Sequence, residues 1–215
     1  MRRALFATLV FFIALSAIAQ ESITPDQLWS AMLQGNKQFV AGTIHYDNLK
    51  AERDLLRDSQ YPPITVLACS DSRVPPELVF NQSIGGIFVV RSAGNVADDF
   101  GVASIEYAIS QGWTKLIVVL AHEECGAVKA SLGGADPTSP ALLALARRIR
   151  TSFVGIPYDA SDKENVHKAA EANARASAAQ LLAHSFMIRD AVATGRIKIV
   201  TAYYELSTGQ VKKVE

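Results

Sequence analysis

Apolar and polar residues follow one another along this chain in blocks whose period changes. Ile64 to Ala68 and Leu116 to Ala121 are unbroken apolar runs of strand length, and Ile87 to Val90 is a third. Such runs predict strands buried on both faces, as a parallel sheet requires. Between the last two, Phe100 to Gly112 carries Val102, Ile105, Tyr107 and Ile109 in a helical stretch. Upstream, Thr24-Pro25-Asp26-Gln27 predicts a helix start, with Thr24 as cap and Pro25 in the first turn. Leu28, Met32 and Phe39 give that helix an apolar face, and the mixed charges of Asp47 to Ser59 suit scaffold or subunit contact.

Further along, Val74-Pro75-Pro76-Glu77 predicts a short helix opened by proline. Helices are expected over Gly126 to Leu132 and Ala141 to Thr151, and the Ala-rich stretch from Lys163 to Ala193 reads as one long helix. Ile197 to Leu206 alternates like a strand. Ser207 to Gln210 then turns the chain back on Val211 to Val214. The expected fold is α/β: a mostly parallel central sheet flanked by helices, with an antiparallel C-terminal edge hairpin, forming one domain over residues 20–215.

Residues 1–19 stand apart. Arg2 and Arg3 precede a fifteen-residue apolar run from Ala4 to Ile18, ending in small residues before Gln20. That pattern predicts a secretory signal peptide, hence a secreted or periplasmic mature chain. The run is short for a membrane span, and no second stretch approaches the length one needs, so stable membrane insertion is not expected. Without the two arginines of the leader, the 21 basic residues fall to 19 against 21 acidic, a formal charge of −2. Such a chain has no basic field for nucleic acid, and its partners should be small.

Candidate chemistry lies between Cys69 and Cys125, the only two cysteines. Each stands where a buried strand meets polar residues. If those strands are adjacent and parallel, their carboxyl ends share one crevice, where doubly wound sheets bind ligands. Two cysteines in an oxidising compartment suggest a disulfide. The spacing favours a metal: His122 lies three residues before Cys125, and Asp71 and Arg73 follow Cys69 at alternate positions. Two thiolates and an imidazole with an open fourth position make a catalytic-type zinc site.

Cys-Ser-Asp-Ser-Arg-Val-Pro-Pro-Glu-Leu (69–78), Phe-Val-Val-Arg-Ser-Ala-Gly-Asn-Val (88–96), Ser-Ile-Glu-Tyr-Ala (104–108) and His-Glu-Glu-Cys-Gly-Ala-Val (122–128) together resemble the β-class carbonic anhydrases. The helix around Leu33 to Gly42 is also similar to that family's amino-terminal helix. The resemblance implies one zinc ion per chain on Cys69, His122 and Cys125, with Asp71 and Arg73 as the catalytic pair. It also implies substrate contacts from Gln82 and Gly126 and a homodimer or an assembly of dimers. The implied reaction is reversible hydration of carbon dioxide to bicarbonate and a proton by zinc-bound hydroxide. Relatives with the same ligands imply carbon disulfide or carbonyl sulfide hydrolysis as an alternative, and a catalytically inert zinc-binding homologue is another.

The chemistry is consistent with that resemblance. Two thiolates cancel the charge of Zn²⁺ and so acidify its water less than three histidines do. An ionised Asp71 that accepts a hydrogen bond there, gripped at both oxygens by Arg73, would fix the nucleophile's direction. Arg91 and Asn95 are expected either to pin their loop or to meet substrate. His45, His167 and His184 sit on no motif. The family pattern is broken at Val66, where some relatives carry a tryptophan that walls a non-catalytic bicarbonate pocket.

Overall fold

A computed structural model describes residues 23–43, 46 and 48–214. The leader expected over residues 1–19 and the unassigned His45 lie outside them. Among the described residues, no helix is long and apolar enough to cross a membrane.

The chain opens with helix α1 (Pro25–Val40). Its Thr24 Oγ1 accepts the Gln27 N–H, and Gln27 Oε1 accepts the Thr24 N–H in return, so two otherwise orphaned donors are satisfied at once. Helix α2 (Leu49–Leu55) follows, capped by Asn48. Then come strand β1 (Ile64–Cys69), the single turn of helix α3 (Pro76–Val79), strand β2 (Ile87–Ser92) and a 3₁₀ turn at Ala93–Asn95. Helix α4 (Asp99–Ser110) is capped by Asp98 and leads to β3 (Leu116–His122). Helices α5 (Gly126–Leu132), α6 (Pro140–Arg150), α7 (Lys163–His184) and α8 (Phe186–Ala193) precede β4 (Lys198–Tyr204) and β5 (Val211–Lys213).

The five strands lie in the order β2-β1-β3-β4-β5, parallel except for β5, which pairs antiparallel with β4. From β1 the chain moves outward to β2, and from β3 it moves the opposite way to β4. The β1–β3 boundary is therefore the switch point of the sheet, and its carboxyl-end crevice is the place where such sheets bind ligands. Cys69 and His122, the last residues of those two strands, both reach it.

Both faces of the sheet are covered, and β1 and β3 are buried throughout. On one face Leu67, Ile117 and Val119 pack with residues of α4, α5 and α7. There Ala169, Ala170 and Ala174 are fully buried and their small size lets α7 lie close. The opposite face joins Val66, Val118 and Leu120 to Leu28, Met32 and Phe80. The α1 helix is tied down by Asn36, whose amide donates to Val79 O (3.0 Å) and Gly209 O (2.8 Å) and whose Oδ1 accepts the Val211 N–H (2.9 Å).

One expectation fails: Lys163 to Ala193 is two helices. Ser185 has an extended backbone (φ −118°, ψ 116°); its Oγ accepts the Ile188 N–H at 3.0 Å and donates to Glu106 Oε1 at 2.6 Å. The capping hydroxyl and its partner on α4 outweigh the helical preference of the flanking residues. The second strand is also longer than expected, since Arg91 and Ser92 continue β2 instead of starting a loop.

Candidate metal centre

Cys69 Sγ, His122 and Cys125 Sγ converge, with their ligand atoms all within 4.8 Å of one another and all three residues buried. Each is placed by an element end. Cys69 and His122 close β1 and β3, and Cys125 is the N-cap of α5 after Glu124, whose φ of 54° turns the chain sharply. A backbone carbonyl only accepts, so His122 Nδ1–H donates to Glu123 O (2.8 Å), which leaves Nε2 as the ring nitrogen turned to the cluster. Nε2 is buried with no hydrogen-bond partner among the described residues. A buried polar atom of that kind is costly unless something binds it.

The two thiols are free, their sulfurs 4.0 Å apart. Two thiolates on one tetrahedral zinc, with Zn–S of about 2.3 Å, stand about 3.8 Å apart. The donor set therefore fits zinc: two sulfurs at the right separation and an imidazole nitrogen with no hydrogen-bond partner beside them. The contact between the two sulfurs moves the two thiols in opposite directions. The Cys125 thiol, donating to Cys69, pulls Cys69 down to about 4 against its burial. The same contact, added to burial, pushes Cys125 well above the ordinary thiol range. A divalent cation reverses that second shift, since a coordinating thiol is deprotonated.

Asp71 stands beside this cluster, its Oδ2 3.9 Å from His122 Nε2. Arg73 holds it with three N–H groups. The Arg73 backbone N–H and Nε both donate to Oδ1 at 2.9 Å, and Nη2 donates to Oδ2 at 2.7 Å. The guanidinium hydrogen bonds hold the Asp71 carboxyl far below the usual carboxylate range, although partial burial opposes them. Oδ1 thus has both in-plane lone pairs engaged, while Oδ2 keeps one on the His122 side.

Arg91 fastens the same loop. Its Nε donates to Cys69 O (3.0 Å) and its Nη2 to Asp71 O (2.6 Å), so it pins the backbone, as one of its two expected roles required. Asn95 is buried in a left-handed conformation (φ 46°), with Nδ2 unpartnered among the described residues. Gly126 opens α5 next to Cys125, and an added Cβ there would meet nothing within 4 Å. Gln82 is not brought to the cluster within this chain: its amide donates to Phe80 O (3.1 Å) and it lines a cavity of about 380 Å³ with Tyr46, Glu77 and Ile87. His167 packs edge-on against Tyr203 and His184 contacts Gln180, both away from the three ligands.

Two features escaped the sequence reading. Gly94 N–H donates to Cys69 Sγ (3.2 Å), and Asn173 on α7 donates to Gly94 O (2.6 Å). Asn173 is one polar residue in an Ala-rich helix and carries no local signal.

A mostly parallel α/β sheet with a Cys-His-Cys cluster at its switch point that could hold a metal ion defines the class. Comparison narrows the class. The family model described as carbonic anhydrase matches residues 64–211. Carbonic anhydrase 2 of Mycobacterium tuberculosis is 35% identical over 201 residues, covering 86% of this chain and 91% of its own. The carbonic anhydrase of Mycolicibacterium smegmatis is 36% identical over 192 residues, covering 87% and 92%. Among solved structures, the Coccomyxa β-carbonic anhydrase in complex with acetazolamide aligns at TM-score 0.68 and 26% identity, covering 86% of this chain and 85% of that one. The chain belongs to the β-class carbonic anhydrases, a family of zinc lyases.

Proposed function

We propose that this chain catalyses the reversible hydration of carbon dioxide to bicarbonate and a proton, with Cys69, His122 and Cys125 holding one zinc ion and Asp71 and Arg73 orienting the attacking oxygen. The observation that carries this reading is the Arg73-held carboxylate, with Oδ2 3.9 Å from the unpartnered His122 nitrogen. Zinc bound there supplies the Lewis acidity that makes water a usable nucleophile near neutral pH. The rest falls to the chain. Asp71, kept ionised, accepts a hydrogen bond from the nucleophile on the free side of Oδ2 and fixes the direction of its attack. Arg73 keeps the carboxylate turned in that direction, and the Arg91 bonds to Cys69 O and Asp71 O keep the loop from shifting. The open space at Gly126 leaves room for a small substrate beside Cys125.

The chain works outside the cytoplasm, a reading supported by Arg2, Arg3 and the apolar run behind them. It assembles as a homodimer or a multiple of one. In support, β2 is an edge strand of the single-chain sheet, with its residues half-buried or exposed.

Stopped-flow hydration with a pH indicator, with metal analysis of the same sample, tests the function. Asp71→Ala should keep its zinc and fold and lose hydration activity by about a hundredfold or more. Near-normal activity in that variant would remove Asp71 from the mechanism. Sulfide release from carbon disulfide, with no hydration of carbon dioxide, would move the substrate to the sulfur analogues.

A further inference from the structure

The turn at Gly94 lies between the metal centre and α7, and both sides of its peptide are engaged. On one side Gly94 N–H donates to Cys69 Sγ at 3.2 Å; on the other, Gly94 O accepts from Asn173 Nδ2 at 2.6 Å. Both contacts are buried, and Asn173 is 3% exposed. Gly94 (φ 67°) and Asn95 (φ 46°) are consecutive left-handed residues. That conformation is disfavoured for an L-residue such as Asn95, so the turn needs outside support. Ile149 on α6 packs close enough that its Cδ1 would lie 2.9 Å from a Cβ at position 94, so only glycine fits there. The directional support is the Asn173 amide.

The consequence falls on the sulfur. An N–H donated to a thiolate is charge-assisted and draws electron density from it. A thiolate that gives less density to a cation leaves that cation the stronger Lewis acid. This matters most where two thiolates already cancel the charge of a divalent ion. The donors to Cys125 come from Ala127 and Val128 in its own helical turn. Cys69 has one backbone donor in its own turn, from Asp71, and a second from Gly94 on a different loop, whose aim depends on whatever holds that loop.

We infer that Asn173 is a positioning residue of the metal centre: by holding the Gly94 carbonyl it aims the Gly94 N–H at Cys69 Sγ and limits the electron density this sulfur gives to the bound metal. The inference rests on the metal-centre reading, and a metal probe separates the failure of one from the failure of the other. Groups that act on a ligand from behind are typically worth about 10–100-fold in activity or metal affinity. Asn173→Leu, similar in volume and without a donor, should lower kcat roughly tenfold with little change in KM.

The deciding readout is spectroscopic. In protein loaded with ¹¹³Cd²⁺ in place of zinc, the wild type should show a sulfur-to-cadmium charge-transfer band. It should also show scalar coupling between the metal and the Gly94 amide proton across the hydrogen bond. In Asn173→Leu the band should move to longer wavelength and the coupling disappear, while Ser177→Ala, one turn along α7, leaves both unchanged. A folded Asn173→Leu protein with an unmoved band and intact coupling overturns the inference. Should Asn173→Leu not fold, Asn173→Asp keeps the shape and replaces the donor by a carboxylate, and the same criteria apply to it. Absence of the Gly94 coupling in the wild type also overturns the inference, whatever the variants do. Absence of any thiolate charge-transfer band on loading overturns the metal centre itself.

Discussion

Replacing Arg73 by leucine isolates the orientation of Asp71 from its presence. Two of the three N–H bonds to the carboxylate are lost, Nε to Oδ1 at 2.9 Å and Nη2 to Oδ2 at 2.7 Å; the backbone N–H to Oδ1 remains. Hydrogen bonds to a charged group are worth about 1.5–3 kcal/mol each. The Arg73 side chain is 52% exposed, so water replaces part of what is lost and the lower end applies. A net loss of about 2 kcal/mol in carboxylate orientation corresponds to about a thirtyfold fall in kcat/KM. Zinc content should not change, because Arg73 touches no ligand side chain. Stopped-flow hydration at saturating zinc measures the rate, and metal analysis of the same sample checks the site. A variant within about threefold of wild-type kcat/KM, with full zinc, would refute the view that the guanidinium fork sets the carboxylate's direction.

Cys125→Ala should lose the metal as well as activity while keeping the fold, read by metal analysis beside circular dichroism. It removes a sulfur from a three-ligand set and leaves the sheet intact. In freshly isolated active protein both thiols should be unpaired, protected while zinc is bound and open to thiol reagents after chelation; a Cys69–Cys125 disulfide in active protein would contradict the site. Bicarbonate should inhibit without cooperativity near neutral pH, because Val66 is fully buried in the apolar layer beneath α1 and offers no N–H donor to an anion. Sigmoidal inhibition in a bicarbonate titration would show that another pocket serves.

What the sequence showed and what it hid divide along the range of the interactions. Two of the three apolar runs became the adjacent parallel strands β1 and β3, buried on both faces as expected, whereas the third, Ile87 to Val90, pairs parallel with β1 at the sheet edge and is only half-buried, against the expectation of full burial. The clustering of Cys69, His122 and Cys125 was legible for the same reason, since the end of a buried strand is where polar residues first reach the crevice. Thr24 and Gln27 announced α1 with atoms three residues apart. The break at Ser185 was hidden because half of it is Glu106, 79 positions away. So was the second contact of Gly94, for Asn173 is also 79 positions distant. Helix propensity adds up local preferences and cannot register a partner on another element.

The charges at the crevice explain why this set of residues works as one unit. Ionised Cys69, Cys125 and Asp71 would place three negative charges in a largely buried space. A divalent cation offsets two of them, and Arg73, always protonated, offsets the third through its fork on Asp71. The loaded site is then near neutral, which suits entry of an uncharged gas and does not hold an anionic product by net charge. Without the cation that balance fails, and contact with Cys69 together with burial pushes the Cys125 thiol up, toward its neutral form. A thiol that ligates a metal gives up its proton, which couples loading of such a site to pH. Asp71 is exempt from this exchange because its counter-charge is covalently part of the same loop. Arg73 lies two residues away, and its own backbone N–H adds a third bond to the carboxylate. The alternate spacing of Cys69, Asp71 and Arg73 thus puts a thiol of the Cys-His-Cys cluster, a carboxylate and that carboxylate's permanent counter-charge on one short turn at the end of β1.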